Sequence, residues 1–543
     1  MKTAIILLAI TVIGAFPGYA QYCDPPGEMV GITEYSVQAY GASSQRIAFD
    51  SLGGIHITWT RGVSPSRHVY YNYRNADSIW LAPGTGVQVN ESGGAGFASM
   101  ALQSNGAAAT AYHNLSNNYA RLAVDNFPGF GVFNYYDVPD LLPGGNHGFW
   151  PQVAISANGD IHVLITEHMM GGDEYQILAY TRSEDGGLTW LNPVVVDSVT
   201  SQVATITASP TGEVAIVYLK PTDYSSYSVV KNDVCYHESS DGRVWDFRYP
   251  INITDYLNDN EDIFCPWGQD AAYDDFGDIH MVWVINNIAM DGSFIDDATG
   301  LCYYDSYYEI IETITWMPDT LLNCDPGPMN SAIAMPTITL ASENPGRVAI
   351  GVVFTGFTDS VVSADNNCVG DLYAAAGSSY WHLWWARNIT ETITPNCLGD
   401  CESEEFPSFS EAIVGWPYDA HLTYVMRNYG DDPDTVYYLP VTIEPIVGID
   451  DTEVIPEKYM LLRAYPNPFN SKTIIEFALA EPEDVELTIY DITGAKVETI
   501  RRQGLGTGRH SIIWDAKDAA SGVYFVRMEA GGFEQSIKMV LLK

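Results

Sequence analysis

A short pattern returns seven times along this chain, and it limits the fold more than any other feature. Four of its copies are Gly53-Gly-Ile-His-Ile-Thr-Trp59, Gly106-Ala-Ala-Ala-Thr-Ala-Tyr112, Gly159-Asp-Ile-His-Val-Leu-Ile165 and Gly212-Glu-Val-Ala-Ile-Val-Tyr218. These four start 53 residues apart each time. Gly277-Asp-Ile-His-Met-Val-Trp283, Gly346-Arg-Val-Ala-Ile-Gly-Val352 and Tyr418-Asp-Ala-His-Leu-Thr-Tyr424 follow at spacings of 65, 69 and 72 residues. Every copy alternates apolar and small or polar residues, the period of a strand with one face in a core. A strand-like run precedes each copy, as in Gln152-Val-Ala-Ile-Ser156, and most have another after it, as in Tyr175 to Tyr180. No segment keeps a 3.6-residue period over several turns, so a helical reading fails.

Three or four short strands per ~50 residues is the arithmetic of a β-propeller. Seven blades is the preferred count. Six follows if the alanine-rich second unit is not a blade. The wider later spacings place insertions in the later blades. The last unit, from Phe406 to about Ile443, lacks a fourth strand, while Met29 to Val37 has no unit of its own. The N-terminal strand is therefore expected to complete the last blade and cover its edge.

Between two strands of the third unit stands Tyr180-Thr-Arg-Ser-Glu-Asp-Gly-Gly-Leu-Thr-Trp190. An Asp in such a turn accepts bonds from nearby backbone N–H groups, and Trp190 can bury its ring as a plug. Ser183, Asp185, Gly187 and Trp190 spell S-x-D-x-G-x-x-W. This resembles the Asp-box, or BNR repeat, of sialidase-like propellers. Fragments recur at Ser239-Ser-Asp-Gly-Arg-Val-Trp245 and Arg74-Asn-Ala-Asp-Ser-Ile-Trp80. The motif marks a turn in a blade and implies no activity.

Met1 to Ala20 reads as a signal peptide, with Lys2, an apolar run from Ala4 to Phe16, and Gly18-Tyr19-Ala20 before the cut. That run is shorter than the ~20 residues of a membrane span, and no later stretch is long and apolar enough. No transmembrane anchor is therefore expected in the mature chain. The formal charge of −43, from 68 acidic and 25 basic residues, repels nucleic acid and anionic membranes. Before Asp450 the balance is 53 acidic to 14 basic residues, so the propeller carries the excess.

The eight cysteines, Cys23, Cys235, Cys265, Cys302, Cys324, Cys368, Cys397 and Cys401, favour disulfides in an exported protein. Cys397 and Cys401 could close a small loop, or one could pair with Cys368. Cys302 and Cys324 could staple one long blade.

Composition changes at a linker with Pro445, Asp450, Asp451 and Pro456. Beyond it, alternating runs such as Thr473 to Phe477, Val485 to Tyr490 and Gly522 to Arg527 are separated by turns at Thr493-Gly494 and Ser521-Gly522. They read as a small Ig-like antiparallel β-sandwich. This segment resembles the type A sorting domain of the type IX secretion system. Tyr465, Pro466, Asn467 and Pro468 open its YPNPFN motif, Gly522 and Tyr524 form its G-x-Y strand, and Lys538 and Lys543 lie in its C-terminal strand. The resemblance implies the type IX machinery as a partner and a secreted or outer-membrane-surface location. The expected order is signal peptide 1–20, propeller 21–444, linker 445–462 and sorting domain 463–543.

No motif assigns a catalytic residue. A sialidase would show Arg-Ile-Pro, an arginine triad, an acid and a Tyr–Glu pair, and Arg-Ile-Pro does not occur. The propeller's arginines are Arg46, Arg61, Arg67, Arg74, Arg121, Arg182, Arg243, Arg248, Arg347, Arg387 and Arg427. Three could converge, but no motif says which. His56, His162, His280 and His421 share one repeat position and could form a metal ring. The preferred reading is a repeated bond from each His to a neighbouring strand or turn.

Acidic runs at Asn258 to Asp262, Asp274-Asp275, Asp296-Asp297 and Asp431 to Asp434 could hold structural calcium. Solvated loops are the default, and no cofactor is assigned. Tyr380, Trp381, Trp384 and Trp385 could stack on sugars, with Trp384 and Trp385 on opposite strand faces. There is no P-loop, dinucleotide fingerprint or G-x-S-x-G elbow. The reading is an exported propeller that binds an extracellular glycan or protein, with a carbohydrate-active enzyme as the alternative. A purely structural surface-layer protein with no small ligand stands third.

Overall fold

The computed structural model describes residues 10–12, 27–443 and 460–541, apart from 40–43, 64–65, 116–118, 140–147, 169–175, 202–203, 223–230, 257–262, 266, 289–293, 319–323, 325–330, 345–346, 358–366, 380–382, 391, 393–401, 411–417, 430–432, 466–471, 507 and 518. All its regular structure is β, in two compact units, one holding the strands through Ile443 and the other those from Met460.

The first unit contains seven antiparallel sheets among the described residues. Sheet 1 runs Ile47–Phe49, Ile55–Val63, Ser66–Arg74 and Val87–Gln88. Sheet 2 runs Ala95–Leu102, Ala108–Asn114, Tyr119–Asp125 and Phe133–Asp137. The alanine-rich second unit is thus a blade. Its small side chains are fully buried between neighbouring sheets. Sheet 3 spans Gly148–Ile155 to Val194–Thr200, sheet 4 Ala204–Ala208 to Ile251–Asn252, sheet 5 Ile263–Phe264 to Ile310–Pro318, and sheet 6 Ile333–Asn344 to Leu383–Asn388.

Sheet 7 has the order Glu402–Phe409, Tyr418–Asn428, Asp434–Ile443, and its fourth strand is Glu28–Thr33 from the N-terminus. Met29 faces Tyr437 and Gly31 faces Val436. Ile10–Val12, inside the segment read as a signal peptide, pairs with the far end of the same strand at Val441 to Ile443. The pairing with Glu28–Thr33 does not depend on it.

The first strand of each sheet, which in sheet 5 is Gln269–Tyr273 beside Ile279–Ile288, packs against the first strand of the next, and the circuit closes from sheet 7 to sheet 1. This ring surrounds the propeller axis. Core clusters fill the spaces between sheets, such as Val30, Ile57, Trp59 and Val425 between sheets 7 and 1. The repeat explains the geometry. Gly53, Gly106, Gly159, Gly212 and Gly277 all sit at the hairpin after the first strand with φ between 83° and 122°, a region open mainly to glycine.

Cys324 and Cys368 form a disulfide. Cys302 and Cys324 do not pair, which corrects that expectation. Cys302 lies mid-strand opposite Trp283, with its thiol in the core beside Cys265, so it cannot reach a loop cysteine. Cys368 is likewise taken and does not pair with Cys397 or Cys401. Those two and Cys23 lie outside the described residues. Cys235, Cys265 and Cys302 are free and buried.

The second unit has sheets of order Met460–Tyr465, Lys472–Leu479, Gly508–Asp515 and Lys496–Leu505, Glu483–Asp491, Gly522–Ala530, Phe533–Leu541. Alternate residues of both, including Phe477, Leu487, Trp514, Val526 and Met539, make one core.

Candidate functional site

The first and third strands of a blade begin at the same face of the propeller, here called the entry face, and the second and fourth end there. The opposite face carries the hairpins after the first and third strands.

The Ser183–Trp190 turn lies on that opposite face. Asp185 accepts bonds from Ser183 Oγ at 2.9 Å, Thr189 N at 2.8 Å and Thr189 Oγ1 at 2.6 Å. Ser183 Oγ accepts Gly187 N at 2.8 Å. Trp190 packs half-buried on the core between sheets 2 and 3. Trp245 and Trp80 cover the next cores in the same manner. These turns hold blades and gather no reactive groups.

The four repeat histidines do not form a ring of shared ligands. Each bonds within its own blade through Nδ1 to a third-strand tyrosine: His56 to Tyr71 at 2.7 Å, His162 to Tyr180 at 2.7 Å, His280 to Tyr303 at 2.5 Å and His421 to Tyr438 at 2.9 Å. The other nitrogen meets a hairpin residue six positions earlier, Asp50 at 3.0 Å from His56 and Ser156 at 2.7 Å from His162. Asp274 stands 3.7 Å from His280. The Asp/Ser-x-x-Gly-x-x-His spacing is visible in the sequence and could have been read as a blade latch. Burial drives the pKa of His162 and of His421 down to about 4, so both rings are neutral.

The axis is polar. Arg46, Ser99, Gln152 and Thr205 share one first-strand register, 53 residues apart, and Asp270 and Ser408 match it in sheets 5 and 7. Several of these side chains tie one blade to the next. Ser99 Oγ accepts Val153 N at 3.2 Å, Asp270 Oδ2 accepts Ile338 N at 3.1 Å, and Ser408 Oγ accepts Arg46 N at 3.0 Å. Gln152 Nε2 reaches across to Ser44 Oγ at 3.0 Å. The axis is therefore crossed by side chains, and a large ligand would meet the entry-face mouth.

On that mouth, over sheets 1 to 3, Arg67 is held between two rings. Its guanidinium lies 4.8 Å from the Tyr35 centroid and 4.6 Å from that of Phe97, and it donates to Tyr35 Oη. It has no ion-pair partner among the described residues. Phe97 meets Trp150 edge-on at 6.3 Å, and Trp150 contacts Phe149 at 5.6 Å. Tyr35, Arg67, Phe149 and Trp150 are half-buried. Phe97 and Trp150 adopt positive φ, 54° and 47°, each at a bulge of the first strand. Bulges re-aim side chains and collect near functional sites.

Over sheets 6 and 7 the mouth is acidic. Glu405 Oε1 lies 3.3 Å from Tyr429 Oη and 3.7 Å from Arg427 Nη1. Burial raises the Glu405 pKa against the pull of Arg427. Burial, then the charge of Glu405, raises that of Tyr429. Thr392 Oγ1 joins Glu404 at 2.6 Å and Asp371 at 2.9 Å, and burial followed by Asp371 pushes Glu404 well above the carboxylate range. A Tyr–Glu pair thus exists in space, but its phenol is held protonated. Val37 and Ala39 bridge the two halves by packing on Met335 and Phe406.

Trp384 sits in the outer strand of sheet 6, its Nε1 bonded to Glu312 at 2.7 Å, and Trp385 lies under Arg387. Tyr380 and Trp381 lie outside the described residues, as do 258–262 and 431–432. Among the described residues no three His, Cys, Asp or Glu side chains are grouped to hold a metal ion.

In the second unit, Gly522 opens a strand, Tyr524 is buried against Trp514 and donates to Ala520 O at 2.5 Å, and Lys538 pairs in register with Phe525. Tyr465 pairs with Ile474 through its backbone. Pro466, Asn467, Pro468 and Lys543 lie outside the described residues.

Residues 463–542 match the family model described as a secretion system C-terminal sorting domain. This match makes the protein a cargo of type IX secretion, secreted or held at the outer-membrane surface. No curated protein matches the chain. Among solved structures, an ulvan lyase of polysaccharide lyase family 25 bound to -[GlcA(1-4)Rha3S]- aligns over 78% of this chain and 96% of its own, at 13% identity and TM-score 0.47. A protein of unknown function from Dyadobacter fermentans covers 78% and 100% at 11% identity and TM-score 0.39. The GH93 α-L-arabinofuranosidase of Fusarium graminearum covers 64% and 92% at 11% identity and TM-score 0.36. Likeness at this level says nothing about activity.

Proposed function

We propose that this protein is an exported propeller that binds an extracellular glycan at its entry-face mouth, with the sorting domain as its address. One observation supports the reading most: Arg67 sandwiched between Tyr35 and Phe97 beside Trp150, with no acid partner among the described residues. Aromatic faces stack on the C–H faces of sugars, and a fixed guanidinium offers donors to hydroxyl or acidic groups. In a chain of net charge −43, an arginine kept from carboxylates is set apart for another partner.

The test is a glycan array on the mature full-length protein, repeated with Arg67→Ala and Trp150→Ala. Selective binding that falls about tenfold or more in either variant supports the reading. If folded protein leaves the array blank, the bet moves to a protein ligand or a purely structural role.

The second reading is a carbohydrate-active enzyme. It draws on Glu405, Tyr429 and Arg427, since raised carboxyl pKa values suit a general acid. Release of new chain ends from the bound glycan, abolished in Glu405→Gln, would favour it. Binding without turnover would favour the module.

A further inference from the structure

Arg46 is used by none of the functions above. It lies at the axis immediately before the first strand of sheet 1 and is 2% exposed. One of its terminal nitrogens donates to the Phe406 carbonyl. Its Nε is buried with no hydrogen-bond partner, and it makes no ion pair with any described residue.

The ring's own carboxylate is occupied elsewhere. Asp270 Oδ2 accepts Thr337 Oγ1 at 2.9 Å and Ile338 N at 3.1 Å, while Oδ1 accepts Ala271 N at 2.9 Å. Neighbouring groups are also fixed: Gln152 Nε2 on Ser44 Oγ, and Ser408 Oγ between Arg46 N and Ser44 O. On the same register, Thr205 Oγ1 is buried without a partner.

Burying an uncompensated guanidinium is strongly unfavourable, and proteins rarely leave one so. Burial alone drives the Arg46 pKa down to about 9, with no opposing charge to restore it. An excess of acidic residues over the whole chain makes the omission pointed: carboxylates are plentiful, and among the described residues none pairs with Arg46.

We propose that Arg46 is the centre of a small-anion site at the propeller axis, taking a halide or a carboxylate at its unpartnered Nε–H. Two sources share that chemistry, a free ion from solvent or the acidic group of a bound glycan. Recognition by charge and a single free N–H suits a monoanion, because one terminal nitrogen already serves the Phe406 carbonyl. The inference stands apart from the glycan reading, since a halide would fill the site with no sugar present.

The experiment uses the mature full-length protein at constant ionic strength, with a bulky sulfonate exchanged for chloride, acetate or an oligoglucuronate. Thermal midpoint is followed together with the 35Cl line width. The expected result is a saturable rise on the order of 2–4 °C with chloride or acetate, accompanied by 35Cl broadening. The rise should be absent in Arg46→Met and present at roughly tenfold higher anion concentration in Arg46→Lys. A rise with oligoglucuronate alone, lost in Arg46→Met, assigns the anion to the glycan. No Arg46-dependent response to any of the three overturns the proposal. Should Arg46→Met fail to fold, the wild-type line width and the Arg46→Lys shift decide it.

Discussion

Closure of the ring by Glu28–Thr33 can be tested by crowding one contact. Trp59 is fully buried at the seam between sheets 7 and 1, and its Nε1 donates to Ile32 O at 3.2 Å. A Cβ placed on Gly31 would stand 2.4 Å from Trp59 Cζ2 and 2.9 Å from Cη2. The same indole also lies against Gly86, where a Cβ would stand 2.2 Å from Cη2, so both glycines are needed for the ring to fit as it does. Gly31→Ala should therefore cost about 1–3 kcal/mol by overpacking. If the strand opens locally, that is a rise of about 5- to 150-fold in its opening constant.

Hydrogen exchange should be faster in peptides covering 28–33 and 434–443. A peptide covering 214–221 in sheet 4 should be unchanged. Trp59→Leu removes the obstructing ring, so the double variant should be less destabilised than the sum of the singles by about 1 kcal/mol or more. Strictly additive effects, or no local change in exchange, would refute this seam.

Two further outcomes follow from burial and cross-linking. Replacing Cys324 and Cys368 with Ser removes a link across 44 residues and should lower stability by about 4 kcal/mol on the chain-entropy account, read from denaturant midpoints. Cys235, Cys265 and Cys302, whose thiols burial pushes upward in pKa, should stay unreactive to a thiol reagent until the protein unfolds. The latch histidines set an acid limit. With folded pKa values near 4 against about 6.5 unfolded, His162 and His421 contribute stability that is present above pH 6.5 and lost as pH falls toward 4. His162→Gln should flatten the midpoint-versus-pH curve across that window, and an unchanged slope would count against the assignment.

Much of the architecture could be read from residues alone. The 53-residue spacing carried the blades, and the orphan strand at Met29 indicated how the ring closes. The same spacing also extends to polar and aromatic positions. Arg46, Ser99, Gln152 and Thr205 fall at one interval, as do Phe97 and Trp150. The mouth and the axis were therefore partly encoded in the repeat. They are faint in the sequence because an apolar alternation marks a strand, whereas a polar residue just before it looks like any solvated position. Other parts were not legible. The Cys324–Cys368 link joins segments whose distance depends on long connections. The meeting of Glu405 with Tyr429 and Arg427 depends on where one strand starts and its neighbour stops. Asp185 and Trp190 were plain in sequence yet mark only a hairpin, since a conspicuous motif can serve rigidity alone.

The N-terminal strand of sheet 7 also has a consequence in time. Its partner stands roughly 400 residues later in the chain. During synthesis and export the first strand emerges with no neighbour on that edge and must wait for almost the whole propeller to follow. Joining ends so far apart costs on the order of 5 kcal/mol in loop entropy, and the contact that offsets it arrives last. Folding should thus have a slow final step. Once the ring has shut, no blade can peel away from a free end, so the finished protein should resist proteolysis and unfolding for longer than its equilibrium stability alone implies.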